Sequence, residues 1–114
     1  MNLEKRFYDD YIHDMVEAIE KAISFVDGMT YDELSVDDKT VFAVIRALEI
    51  IGEATKKIPD QVRQQNPDVP WKEMAGMRDK LIHDYMGVNL QVVRLKIQEE
   101  LPKLQKSLQS YKSQ

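Results

Sequence analysis

Apolar residues recur along the first quarter of the chain at intervals of four and three: Tyr8, Ile12, Met15, Ile19, Ala22 and Val26. That rhythm keeps them on one face of a helix, so it predicts a helix from Leu3 to about Asp27, with Gly28 as its stop. Tyr11, Ala18 and Phe25 form a second stripe beside the first. A surface that wide suits burial against two neighbours, or against one neighbour and a second subunit. Thr30-Tyr31-Asp32-Glu33 has the form of a capping box and predicts a short helical turn. Ser35-Val36-Asp37-Asp38 offers another cap, with acids where the helix dipole favours them.

A second long helix is predicted to run to about Ile58, ended by Pro59. Its stripe is Val41, Val44, Ile45, Leu48, Ile51, Thr55 and Ile58. Gly52 interrupts good helix formers at a cost of about 1 kcal/mol relative to alanine, which close approach of another helix would offset. Residues 59–69 read as a loop with one helical turn. Pro70 fits the first position of a third helix that stops near Gly87, with Asp68 or Val69 just outside it. Asn89 fits the cap of the last helix, striped by Leu90, Val93, Ile97, Leu101, Leu104, Leu108 and Tyr111. Pro102 lies inside that pattern and predicts a bend or break. No alternating pattern long enough for a strand appears. The expected fold is all-α, one domain over 1–114: an up-and-down bundle of four main helices with short extra turns.

Composition narrows the function more than the fold. With no cysteine, disulfides and thiolate metal sites are excluded. No apolar run approaches a membrane span and the N-terminus lacks a signal-peptide core, so the expected location is the cytoplasm, away from the membrane. The formal net charge of −4 argues against a general nucleic-acid coat, because phosphate binding is driven by Lys and Arg. A local basic groove, formed by bringing two chains together, remains compatible with it. The two histidines, seventy residues apart, have no metal-site spacing, and no glycine-rich phosphate loop is present. No cofactor is expected.

One stretch concentrates chemistry: Arg78-Asp79-Lys80-Leu81-Ile82-His83-Asp84-Tyr85. On a helix Arg78 interrupts an apolar face made by Trp71, Met74, Ala75, Leu81, Ile82 and Tyr85, and an arginine there needs a carboxylate or phosphate partner. Asp79 and His83 are four apart, so the carboxylate can orient the imidazole and favour its protonated form. Arg78 and His83 point about 140° apart and would line two walls of a groove. These residue types suit metal-independent RNA cleavage: the imidazole exchanges protons with ribose and leaving oxygens, and the guanidinium holds the phosphate. Cleavage needs a base and an acid, and a symmetric dimer would supply two copies of His83. The plainer readings are that Arg78 pairs with Glu49 or Glu53 and that Tyr85 is a core aromatic. His13 reads as an exposed side chain, and Met74, Met77 and Met86 as packing.

Arg78, His83 and Tyr85, spaced Arg-x4-His-x-Tyr, resemble the signature of the HEPN superfamily and specifically of HepT-like toxins. Leu48-Glu49-Ile50-Ile51-Gly52-Glu53-Ala54 is similar to that family's "IGEA" segment. Val69-Pro70-Trp71 followed by Gly76-Met77-Arg78 is similar to its approach to the active helix, and Gly87-Val88-Asn89 to the segment beyond, with Asn89 in an aspartate's place. The resemblance implies a toxin of a toxin–antitoxin system: a homodimeric endoribonuclease acting on RNA such as tRNA or mRNA. It implies Arg78 and His83 as the catalytic pair and Asp79 in the supporting polar position, often asparagine. It also implies Tyr85 as the residue on which an MntA-type nucleotidyltransferase antitoxin places AMP. Two other expectations compete: a non-catalytic helical subunit that docks a nucleotidyltransferase or nucleotide, and a purely structural dimerisation module in which Arg78 is an interface ion-pair residue. Arg94, Lys96, Lys103, Lys106 and Lys112 on the last helix are candidates for RNA contact.

Overall fold

The computed structural model describes residues 3–77, 79 and 90–111, with side chains from Tyr8 onward. Among these residues the structure is entirely helical: α1 (Leu3–Val26), α2 (Tyr31–Ser35), α3 (Asp38–Lys56), α4 (Asp60–Gln65), α5 (Trp71–Ala75), α6 (Leu90–Glu99) and α7 (Leu101–Leu108). The helices form a bundle, as the periodicity predicts. Gly28 follows α1 with φ +74°, the left-handed conformation that a glycine adopts without strain. The capping box forms: Thr30 Oγ1 accepts from Glu33 N–H at 3.1 Å and Glu33 Oε1 from Thr30 N–H at 3.0 Å. The bonds to Thr30 hold the Glu33 carboxyl below its usual range. Asp37 caps α3 by accepting from the Thr40 amide at 3.0 Å and hydroxyl at 2.8 Å.

Thr55 Oγ1 donates to the Ile51 carbonyl at 2.6 Å and lies 3.3 Å from Met15 Sδ. Because Met15 meets Thr55 while only residues 27–37 join α1 to α3, the two long helices run antiparallel. Their shared seam is the centre of the core, with Met15, Ile19 and Ile51 at 0% exposure. Removing each such side chain from water stabilises the fold by roughly 1.5–3 kcal/mol. Gly52 is buried within α3. α6 and α7 pack on α1, and α5 packs on α3.

The last helical pattern is divided as Pro102 predicts. α6 ends at Glu99, α7 begins at Leu101, and the proline occupies the first turn of α7, where a missing N–H is tolerated. Val93, Ile97, Leu101, Leu104 and Leu108 stay buried across the break. Beyond α7, the Tyr111 hydroxyl donates to Asp9 Oδ1 at 3.1 Å, tying the end of the described chain back to α1. Partial burial, with that bond to a carboxylate, pushes the Tyr111 phenol up to about 12.

Candidate functional site

The stretch that carries the candidate chemistry is entered through α4 and α5, and both are anchored on the end of α3. A helix leaves its last carbonyls without partners. Arg63 of α4 adds a side-chain donor there, with Nη2 donating to the Thr55 carbonyl at 2.8 Å, beside the Ile58 amide that already reaches it, and Nε to the Ile58 carbonyl just past the helix at 2.9 Å. Asn66, buried after α4, donates through Nδ2 to the Val62 carbonyl at 3.1 Å. Its own carbonyl accepts the Trp71 indole N–H at 2.9 Å. The indole thus buries its ring and satisfies its single polar group at once. Pro70 is the residue before α5 rather than its first helical residue, and the Trp71 amide turns back to the Val69 carbonyl at 2.8 Å. Trp71, Met74 and Met77 are buried, so two of the three methionines assigned to packing do pack. The Gly76 amide closes α5 by donating to the Lys72 carbonyl at 3.0 Å.

Asp79 emerges from this anchored segment on the surface. Its Oδ2 lies 3.8 Å from Nζ of Lys56, the last residue of α3, with side-chain exposures of 74% and 45%. An ion pair so open to water contributes little to stability, about 0–1 kcal/mol. Its chemical meaning is positional: an ammonium stands beside the residue after Arg78. Arg78, His83 and Tyr85 lie outside the described residues, as do Lys80, Met86, Gly87 and Asn89. Glu53, weighed as a partner for Arg78, is 3.6 Å from Arg46 along the same helix. His13 is exposed at 75% of its side chain and sits 3.6 Å from Glu17, in keeping with a surface role.

Two residues of this region escape pattern reading. Arg63 makes its bonds to backbone carbonyls, which leave no trace in side-chain identity, although a basic residue just past a proline-terminated helix is the cue. Lys56 is reached by Asp79 only through the tertiary path of α4 and α5. Among the described residues no group of three or more His, Cys, Asp or Glu is arranged to hold a metal, and no helix is long and apolar enough to cross a membrane.

The model of the family described as HepT-like, ribonuclease HepT-like, matches residues 15–111. A protein of Thermococcus cleftensis named probable ribonuclease HepT is 49% identical over 100 residues, which cover 88% of this chain and 91% of that protein. A Methanocaldococcus jannaschii protein carrying the name "putative RNase" is 40% identical over 107 residues, 94% of this chain and 88% of its own length. A third, with the same kind of name, from Caldanaerobacter subterraneus subsp. tengcongensis, is 42% identical over 98 residues, 86% of this chain and 88% of its own. No solved structure gives a significant match. With an all-helical bundle, the Arg78–Tyr85 motif inside the matched span and relatives aligned along most of their length, the chain belongs to the HepT-like ribonuclease family of the HEPN superfamily, a family associated with toxin–antitoxin systems.

Proposed function

We propose that this protein is the toxin of a toxin–antitoxin pair, an endoribonuclease that cleaves RNA without a metal through Arg78 and His83 at a cleft shared by two copies. The observation that carries the reading is the family match across residues 15–111, which spans the whole Arg78–Tyr85 motif. In the reaction, the 2′-hydroxyl gives up its proton to one imidazole and attacks the adjacent phosphorus. The bond to the 5′ oxygen breaks, and that oxygen takes a proton from the second imidazole. The products are a 2′,3′-cyclic phosphate and a 5′-hydroxyl, with no water consumed. An imidazole of ordinary pKa, about 6.5, serves in both roles near neutral pH. Arg78 holds the phosphate oxygens as charge builds on them. Asp79 supports the geometry of this pair, and Lys56, 3.8 Å from Asp79, adds positive charge at the edge of the site.

In this reading a nucleotidyltransferase of the MntA type neutralises the toxin by adding AMP to Tyr85. The added phosphate and adenine bring negative charge and bulk to where the RNA backbone must lie. The test is a turnover assay in excess chelator. The wild-type protein is expected to leave cyclic phosphate ends on RNA, and His83→Ala to abolish the cleavage while the oligomer stays intact. Undiminished cleavage by His83→Ala would discard the mechanism. Mass spectrometry of the protein made with and without its partner tests the modification, with a gain in multiples of one adenylate expected on the Tyr85 peptide.

A second reading, a non-catalytic subunit that docks a nucleotidyltransferase or nucleotide, draws on the exposed Asp79 carboxylate, which puts negative charge beside the phosphate position. It predicts tight complex formation and no cleavage of any RNA. The same turnover assay separates the two.

A further inference from the structure

α3 ends in two adjacent bases, Lys56 and its cap Lys57, and the fold sends them in different directions. Successive helical residues point about 100° apart. Lys57 lines the rim of an open groove of about 620 Å³ between α1 and α3. Lys56 turns instead towards the chain beyond α5, where its Nζ lies 3.8 Å from Asp79 Oδ2. Basic residues at a helix C-terminus complement its dipole, and either lysine alone would do that. The dipole therefore accounts for bases at this helix end but not for the carboxylate that one of them meets.

Both partners stand on anchored backbone. Arg63 bonds to the Thr55 and Ile58 carbonyls on either side of Lys56. Met77, just before the Arg78-Asp79 pair, is buried, as are Trp71 and Met74 upstream of it. The two side chains nevertheless remain open to water, and 3.8 Å is beyond hydrogen-bonding distance. Such a contact does little for stability; what it changes is the local charge. Asp79 is one peptide bond from Arg78, proposed above as the guanidinium that holds the phosphate. A bare carboxylate there would repel the polyanion that Arg78 is to hold, in a chain whose formal net charge is already −4. The ammonium of Lys56 cancels that charge where it arises.

We propose that Lys56 is the counter-ion of Asp79, a positioning residue that neutralises the carboxylate beside the phosphate site and so lets RNA approach Arg78. The inference rests on the reading of Arg78 as the phosphate-binding residue, and it adds to that site a residue from a different helix. It also ties the need for the lysine to the acid. With asparagine at position 79 there is no carboxylate to neutralise, and Lys56 has no charge to offset. A lysine that bound RNA phosphate directly would matter equally with either residue at 79. A lysine that served only the helix dipole would matter to RNA with neither.

The test is a double-mutant cycle on the full chain, read as RNA affinity. Every variant carries His83→Ala so that a fluorescein-labelled single-stranded RNA stays intact, and binding is followed by anisotropy at one ionic strength. Lys56→Gln is expected to raise the dissociation constant roughly 3–10-fold, the effect of one charge near a phosphate in high-dielectric surroundings. Lys56→Arg, which keeps the charge, is expected to stay within about two-fold of the parent. With Asp79→Asn already in place, Lys56→Gln is expected to cost less than about two-fold, because the two residues act as a coupled pair. Equal weakening in both backgrounds would overturn the counter-ion role and make Lys56 a direct phosphate contact. Unchanged affinity in both would overturn it in favour of the helix dipole. Absence of RNA binding altogether would overturn it together with RNA as the ligand. Cleavage by the wild-type chain reads the ribonuclease assignment separately: the expected cycle without any cleavage would leave the counter-ion role standing and remove the nuclease.

Discussion

The α1–α3 hairpin has two apolar faces, set by the same helical spacing, and they meet different fates. One carries Met15, Ile19 and Ile51, is closed over by α5, α6 and α7, and has no exposed surface at those residues. The other carries Ala18, Ala47 and Ile50 and opens as a groove rimmed by charges. The difference lies in what surrounds each stripe. Large β-branched and thioether side chains fill the closed face. Alanines line the open one, and both acids and bases flank it. Hydrophobic spacing marks both stripes alike; which of them is sealed depends on the helices that pack over it.

The largest expected effect contrasts neighbours on these faces. Ile51→Ala removes a fully buried side chain from the closed seam and is expected to destabilise the protein by about 2–4 kcal/mol in chemical denaturation. Ile50→Ala, one residue earlier but facing the groove, is expected to cost less than about 1 kcal/mol at concentrations where the chain is monomeric. Equal losses would erase the distinction between the faces. Next in size is Arg63→Ala, which leaves the Thr55 and Ile58 carbonyls without that donor and is expected to cost about 1–3 kcal/mol. Since those bonds anchor α4, on the path of the chain towards Asp79, RNA cleavage is expected to fall along with stability, and unaltered cleavage would separate the anchor from the site.

Trp71→Phe keeps most of the apolar ring but loses the N–H donated to the Asn66 carbonyl, for an expected loss of about 1–2 kcal/mol. The smallest effect belongs to the Tyr111–Asp9 contact. Tyr111→Phe is expected to cost under about 1 kcal/mol. Its pH dependence has a definite sign: the folded phenol titrates at about 12, above its ordinary value of 10, because burial and Asp9 favour the neutral form. The contribution is complete below the ordinary tyrosine range and is lost as pH rises from there towards 12. Alkaline denaturation of wild type and Tyr111→Phe should therefore converge over that window, and a gap that widens with rising pH would contradict the assignment.

Much of this fold is legible before any coordinates. The four–three spacings define α1 and α3, Gly28 and Pro59 end them, Thr30 with Glu33 caps α2, Asp37 with Thr40 caps α3, and Pro102 divides the last helical run. These signals are readable because each depends on residues within about one turn of one another. Most boundaries shift only slightly, as where α3 closes at Lys56 and Pro70 falls just outside α5, but the third helix, expected to run on to near Gly87, closes at Ala75 with Gly76 as its cap. Of the candidate site, residue types and spacing are visible in Arg78, Asp79, His83 and Tyr85, and the described structure adds the anchored approach through Trp71 and the cation at Lys56 beside Asp79.

By itself, then, the sequence determined that the chain is helical and where most of its helices start and stop. Each of those is decided by local dihedral preference, capping and side-chain chemistry. Only the tertiary structure decided that Arg63 completes the end of α3, that Asp79 meets Lys56, and that one stripe of the long hairpin is sealed while its neighbour stays open. Those outcomes depend on how distant segments pack in three dimensions, and two stripes with the same periodicity are alike until the remaining helices have chosen the face they cover.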